Sequence, residues 1–271
     1  MPESKELIIS SSDQLLQQTT RRRFLGLLAM GGSVLMLPSV FTACDDNSIT
    51  DPFTDPDRYR LVLSNDTGIL NYAYALEQLE AAYYTAALGS AGFAALSAAE
   101  KEVLQDLQKH EVIHREFFKQ VLGTAAIPEI GFNTATVGSL TANRDVLLST
   151  SQLLEDTGVS AYNGAGKYLT SAANLLVAGK IVSVEARHAA AIRDIRESLG
   201  VSGGDATGTR FGGDSVVIAS GANAGLDVKL EPSAVAGRVI SVGIVSDSLS
   251  IGTQPPTKAG TPDFGPPSPT P

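Results

Sequence analysis

Val184-Glu185-Ala186-Arg187-His188 is the stretch whose reading decides the fold of this chain. It sits in residues 175–199, where Val177, Ile181, Val184, Ile192 and Ile195 recur at three- and four-residue steps. That period predicts one long helix with an apolar stripe. Glu185 and His188 fall inside the stripe. A carboxylate and an imidazole on a face due for burial need a reason, because an unpaired buried charge is costly. Three residues apart, they stand one turn from each other on the same side of the helix. This is the geometry of a Glu-x-x-His metal half-site.

The pattern occurs twice. Lys109-His110-Glu111-Val112-Ile113-His114 carries a second Glu-x-x-His, on a stripe with Leu104, Leu107, Phe118 and Val121. The chain has three histidines, and two of them follow a Glu by three positions. At ordinary Glu frequencies about one chain in a hundred does this by chance.

The bounds on the chain are broad. Its 271 residues allow one or two domains. With 43% hydrophobic and 18% charged residues it reads as globular with disordered ends. A formal net charge of −9 argues against a nucleic-acid partner, since no basic face would meet the phosphates. The single cysteine, Cys44, excludes an internal disulfide framework and a Cys-rich zinc or iron–sulfur site.

Residues 1–43 read as an address. Arg21-Arg22-Arg23-Phe24-Leu25 precedes an apolar run over 27–43, the form of an export signal. The adjacent arginines resemble the twin-arginine signal of bacteria. Phe41-Thr42-Ala43-Cys44 resembles a lipoprotein cleavage box in which Cys44 would become the lipidated first residue; Phe41 departs from the usual pattern. The other reading is an uncleaved membrane anchor, for which the run is just long enough. Either way the expectation is an exported protein of the cell envelope, held at a membrane. The Pro- and Asp-rich residues 44–64 read as a flexible tether.

Four helical segments follow. The first spans about 66–88, capped by Asp66 or Thr67 and stopped by Gly89-Ser90, with Leu70, Ala73, Glu77, Glu80, Tyr84 and Leu88 on its stripe. The second spans 97–122 and opens on a capping box, Ser97-Ala98-Ala99-Glu100. The third spans about 142–169, with Leu148, Glu155, Val159, Tyr162 and Leu169 on one face. Gly158, Gly164 and Gly166 predict an irregular second half. The fourth is the helix of Glu185 and His188. Short links make antiparallel pairs of helices one and two, and of three and four. The 19 residues from Gly123 to Thr141 are different. Extended, they reach about 60 Å, farther than the roughly 38 Å length of a 25-residue helix. They can cross a whole bundle.

The two hairpins repeat each other at their polar core positions. Glu77 is followed seven residues on by Tyr84, and Glu155 by Tyr162, so each pair shares a face. The order along the chain is Glu, Glu-x-x-His, Glu, Glu-x-x-His, which is the ligand order of ferritin-like dinuclear carboxylate proteins. The chain is therefore identified as a member of the ferritin-like superfamily. It most resembles exported bacterial ferritin-like proteins related to plant desiccation-associated proteins. Leu76-Glu77-Gln78-Leu79-Glu80-Ala81 and Gly225-Leu226-Asp227-Val228 carry that resemblance.

The resemblance implies an all-α, ferritin-like four-helix bundle over 65–199, with one long crossover between helices two and three. An irregular C-terminal extension with a short helix at 234–242 and a short strand at 215–219 would fill 200–252, and 253–271 would be a disordered Pro-rich tail. It also implies two divalent metal ions, iron first and manganese second. Glu111 and Glu185 would bridge them, His114 and His188 would take one each, and Glu77 and Glu155 would be terminal ligands. Tyr84 and Tyr162 would hydrogen-bond carboxylates and hold their orientation. Two divalent cations would cancel the four negative charges that otherwise repel in an apolar core.

Glu80 lies on nearly the same face as Glu77 and is the alternative ligand; the spacing to Tyr84 favours Glu77. His110 reads as a surface or supporting residue, and Arg187 and Arg193 as surface charges. The expected activity is that of a di-iron oxidase or ferroxidase, or of a peroxide-reactive protein, with dioxygen or peroxide as small substrate. A di-manganese catalase and a non-catalytic stress-protection bundle are the alternatives. A closed storage cage is not expected, because an anchor and a C-terminal extension would crowd it; a homodimer stays open.

Overall fold

The computed structural model describes residues 58–197, 216–218, 223–246 and 248–251, all within the compact unit Ser48–Pro271. The signal read over 1–43, Cys44, the first part of the tether, residues 198–215 and the tail 253–271 lie outside the described residues. The elements are β1 (Arg58–Leu61), α1 (Asp66–Ala87), α2 (Ala91–Ala94), α3 (Ala98–Leu122), α4 (Thr134–Leu140), α5 (Arg144–Gly166), α6 (Ala172–Glu197), α7 (Pro232–Val242) and β2 (Ser248–Ile251). The protein is an all-α bundle in which α1 packs on α3 and α5 on α6. Among the described residues two strands form one parallel pair, Arg58 opposite Ser248 and Leu61 opposite Ile251.

Local chemistry sets the helix ends. Asn65, rather than Asp66 or Thr67, caps α1, accepting from the Gly68 N–H at 3.0 Å. Asp66 is engaged elsewhere. It accepts from the Thr170 N–H at 2.8 Å, the Ser171 N–H at 2.9 Å and the Asn174 side chain at 2.9 Å. It thereby ties the start of α1 to the turn between α5 and α6. Burial pushes the Asp66 carboxyl up, but these hydrogen bonds outweigh it and hold it below its ordinary value. The Ser97–Glu100 capping box opens α3, and Gly123, at φ 53°, ends it in a conformation that favours glycine.

The buried stripe of α3 is Leu104, Leu107, Glu111, His114, Phe118 and Leu122. Val121, expected on it, is 46% exposed. At 3.6 residues per turn the stripe steps from 118 to 122 rather than to 121.

α1 is buried on every side from Ile69 to Ala81. Its partners in the bundle cover one side, and the crossover covers another. Asn71 donates to the Ala125 carbonyl and accepts from the Ile127 N–H, both at 2.8 Å. Gln78, two turns on, accepts from the Ile130 N–H at 2.8 Å. These two amides pair backbone groups of the crossover, and each hydrogen bond contributes about 1 kcal/mol.

α5 is covered in the same way by the C-terminal segment. The Leu230 N–H donates to the Ser160 carbonyl at 2.9 Å, and Lys167 pairs with Glu231 at 2.5 Å. Here the expected irregularity of the third helix is corrected, because α5 is continuous to Gly166. Gly164 serves close approach instead: a Cβ there would collide with the Leu230 carbonyl.

Two further expectations change. The tether read over 44–64 ends earlier, since 58–61 form β1 and Leu61 and Leu63 are buried apolar residues of the core. The short strand expected at 215–219 is a single antiparallel bridge, Val217 to Asp227, among the described residues. The short helix of the extension runs from Pro232 to Val242, opened by proline in its first turn.

Candidate metal centre

α1, α3, α5 and α6 each turn polar side chains into the same interior point. Glu77, Glu111, Glu155 and Glu185 are 0% exposed, and His114 and His188 are buried beside them. Two overlapping clusters result, Glu77–Glu111–His114–Glu185 and Glu111–Glu155–Glu185–His188, with one donor atom of each residue within 4.8 Å of the others.

The distances divide the carboxylates by position. Nδ1 of His114 lies 2.9 Å from Glu185 Oε1, 3.4 Å from Glu77 Oε2 and 3.6 Å from Glu111 Oε2. Nδ1 of His188 lies 2.9 Å from Glu111 Oε1, 3.3 Å from Glu155 Oε2 and 3.5 Å from Glu185 Oε2. Glu111 and Glu185 therefore give one oxygen to each half. Glu77 belongs to the His114 half and Glu155 to the His188 half.

These contacts are short, yet they lack hydrogen-bond alignment. Both oxygens of Glu111 and Glu185, Oε2 of Glu77 and Glu155, and Nδ1 of both histidines are buried without a hydrogen-bond partner. Buried polar atoms are almost always paired. Eight converging exceptions, all of metal-ligand type, fit a pair of metal ions better than they fit one another.

The remaining oxygen of each terminal carboxylate is held across the bundle. Tyr84 on α1 donates to Oε1 of Glu155 on α5 at 2.6 Å, and Tyr162 on α5 donates to Oε1 of Glu77 on α1. Each tyrosine thus serves the opposite hairpin. One oxygen is anchored and the other is left facing the centre.

The protons of the metal-free site follow from burial and charge. Burial, then the nearby carboxylates Glu185 and Glu111, push Glu77 well above the usual carboxylate range. Glu155 is pushed up to about 8, mainly by burial. Burial would raise Glu111 too, but His114 and His188 outweigh it and lower it to about 2. Burial would lower His188, and the carboxylates Glu111, Glu155 and Glu185 instead raise it to about 12. His114 is raised for the same reason.

Glu80 is also buried, and it stands in neither cluster. Two features were not expected from the sequence, and His110 takes the supporting rather than the surface role. Nδ1 of His110 lies 2.9 Å from Nε2 of His188, so the third histidine backs the fourth helix's imidazole. Arg193, read as a surface charge, is 6% exposed and forms a two-point pair with Asp156, Nη2 to Oδ2 at 2.5 Å and Nε to Oδ1 at 3.2 Å. Asn71 and Gln78 hold the crossover behind Glu77, and their seven-residue spacing is the same as that of Glu77 and Tyr84.

Residues 65–198 match the family model of the ferritin-like domain, and this part of the chain is a domain of the ferritin-like superfamily. None of the curated proteins compared matches the chain.

The charge pattern predicts a pH dependence for the protein freed of metal. Glu155 rises from an ordinary 4.5 to about 8 on folding, so its contribution is full below 4.5 and is lost as pH rises towards 8. His188, raised from 6.5 to about 12, loses its contribution as pH rises beyond 6.5. Glu111 has the opposite sign, but its loss falls below pH 4.5 as the pH drops towards 2. Chelator-stripped protein is therefore expected to melt at a lower temperature near pH 8 than near pH 5. Divalent metal, which displaces these protons, should raise the melting temperature most at the higher pH. Melting curves across this window check it; a melting temperature of the stripped protein that climbs with pH contradicts it.

Proposed function

We propose that this is an exported, membrane-tethered metalloprotein whose dinuclear carboxylate centre reacts with dioxygen or peroxide, with iron as the resident metal. The observation that carries the reading is the set of eight buried donor atoms without hydrogen-bond partners, divided evenly between two positions. Oxygen and imidazole donors suit iron and manganese rather than thiolate-seeking metals. Four carboxylates offer four negative charges, which two divalent cations neutralise.

When bound, two such ions would supply two electrons at one site without an organic cofactor. The protein's part is positional. Glu111 and Glu185 would span the two positions, and Glu77 and Glu155 would close one each. His114 and His188 would present Nδ1, one to each half. Tyr84 and Tyr162 fix the terminal carboxylates, so little reorganisation is needed when metal enters. The buried surroundings keep bulk water from the carboxylates.

Metal analysis of the protein tests the reading. Two iron atoms per chain are expected, with Glu111→Ala and Glu185→Ala each losing most of the metal. Iron that changes oxidation state with dioxygen or peroxide supports the oxidase reading. Two manganese atoms with peroxide turnover would replace it by a catalase. Bound metal that never changes oxidation state would replace it by a structural role, and full metal retention by both variants would remove the site assignment.

The location rests on the arginines at 21–23, the apolar run after them and Cys44. Among the described residues no helix is long and apolar enough to cross a membrane. Cell fractionation should find the protein with membranes and the Cys44→Ser variant released from them. A variant that stays bound indicates an uncleaved anchor, and a wild-type protein found wholly in a soluble fraction contradicts the tether.

A further inference from the structure

The two halves of the centre depart from the internal repeat at two places, and both departures favour the same half. The first is on the long helices. Glu77, Glu80 and Tyr84 on α1 correspond to Glu155, Gly158 and Tyr162 on α5. The repeat therefore replaces a carboxylate by hydrogen at 158. A Cβ there would lie 3.2 Å from Glu80 Oε1, 3.7 Å from Glu80 Oε2 and 3.9 Å from Glu185 Oε2. The buried Glu80 carboxyl thus reaches across the bundle to the surface of Gly158. It lies there with the Glu185 oxygen that faces His188, 3.5 Å from that Nδ1.

The second departure is on the ligand helices. Residue 110, four before His114, corresponds to residue 184, four before His188. His110 reaches over to Nε2 of His188 at 2.9 Å, and the two rings lie nearly parallel with centroids 5.1 Å apart and an angle of 9°. With Nδ1 of His188 turned to the carboxylates, its Nε2–H donates to Nδ1 of His110. A ligating histidine held this way has a fixed tautomer and a more basic donor nitrogen. The counterpart position, Val184, has no polar side-chain atom to offer His114.

We propose that the two metal positions are unequal and fill in order. The His188 position, with Glu111, Glu155 and Glu185, has Glu80 standing beside its cluster rather than in it, next to Gly158, as an oxygen donor to be added when metal enters, and His110 as a positioning residue. It takes the first divalent cation. The His114 position, with Glu77, Glu111 and Glu185, takes the second and more weakly. Glu80 is thus an added donor of one half, rather than a substitute for Glu77 in the other. This rests on the metal-centre reading and goes beyond it by ranking the halves.

The test is an anaerobic titration of the metal-free full chain with Mn²⁺, followed by electron paramagnetic resonance. The first equivalent should bind at least about tenfold more tightly than the second, the size of effect that supporting partners exert on a metal site. It should give an isolated-ion spectrum, and the second equivalent should convert this to a coupled pair. His114→Ala should keep the tight step and lose the weak one; His188→Ala should do the reverse. Glu80→Gln, which keeps the side chain's volume, and His110→Ala should each weaken the first step about tenfold and the second much less. Two equal steps, or a tight step that survives His188→Ala and vanishes with His114→Ala, overturn the ranking alone. A first step unchanged in both Glu80→Gln and His110→Ala also overturns it. No manganese binding at all removes the metal centre itself, and the ranking with it.

Discussion

Four fully buried carboxylates converge in the apolar interior of one bundle, and the rest of the architecture accommodates that fact. Removing a single ionised carboxylate from water costs several kcal/mol even after the surroundings relax. Four together repel as well. In the metal-free protein the cost is met by protons: the histidines hold theirs far above the ordinary range, and Glu77 and Glu155 rise with them. Divalent cations answer the same problem without protons. The site is thus held in place by a charge balance that needs all four helices at once, because each contributes one carboxylate.

Geometry alone would not keep that balance in place. The carboxylates are oriented by groups on other elements, and these run in crossed pairs. Tyr84 and Tyr162 each leave their own hairpin to hold the other's glutamate. Behind the first and third long helices lie two further segments: the crossover, pinned by Asn71 and Gln78, and the C-terminal segment, pinned through Ser160, Lys167 and Gly164. Both α1 and α5 are consequently buried on faces that an isolated four-helix bundle would leave wet. Their glutamates stand farther from water than the helix pairs alone would place them.

Much of this is legible in the sequence. The period of the apolar residues marks the helices, and the length of the link after Gly123 marks the crossover. The two Glu-x-x-His repeats and the two Glu–Tyr spacings mark the polar residues that share a face. What could not be read follows from one limit: periodicity reports which face of a helix is buried, but not against what. Asn71 and Gln78 look like ordinary amides until the crossover is laid over them. Arg193 looks like a surface charge until Asp156 is placed opposite. Gly158 and Gly164 look like helix breakers, yet both are packing positions, one against a carboxylate and one against a backbone carbonyl. The contact of His110 with His188 depends on how α3 and α6 face each other, and no spacing within either helix carries that information.

The most direct measurement of the central claim is anomalous X-ray scattering from crystals of the metal-loaded protein, recorded at the metal's absorption edge. The account predicts two peaks per chain inside the bundle. One should lie among Glu77, Glu111, His114 and Glu185, and the other among Glu111, Glu155, Glu185 and His188, with Glu111 and Glu185 contacting both. A single peak, peaks confined to surface acids, or no peak in crystals grown with excess ferrous or manganous salt would contradict it.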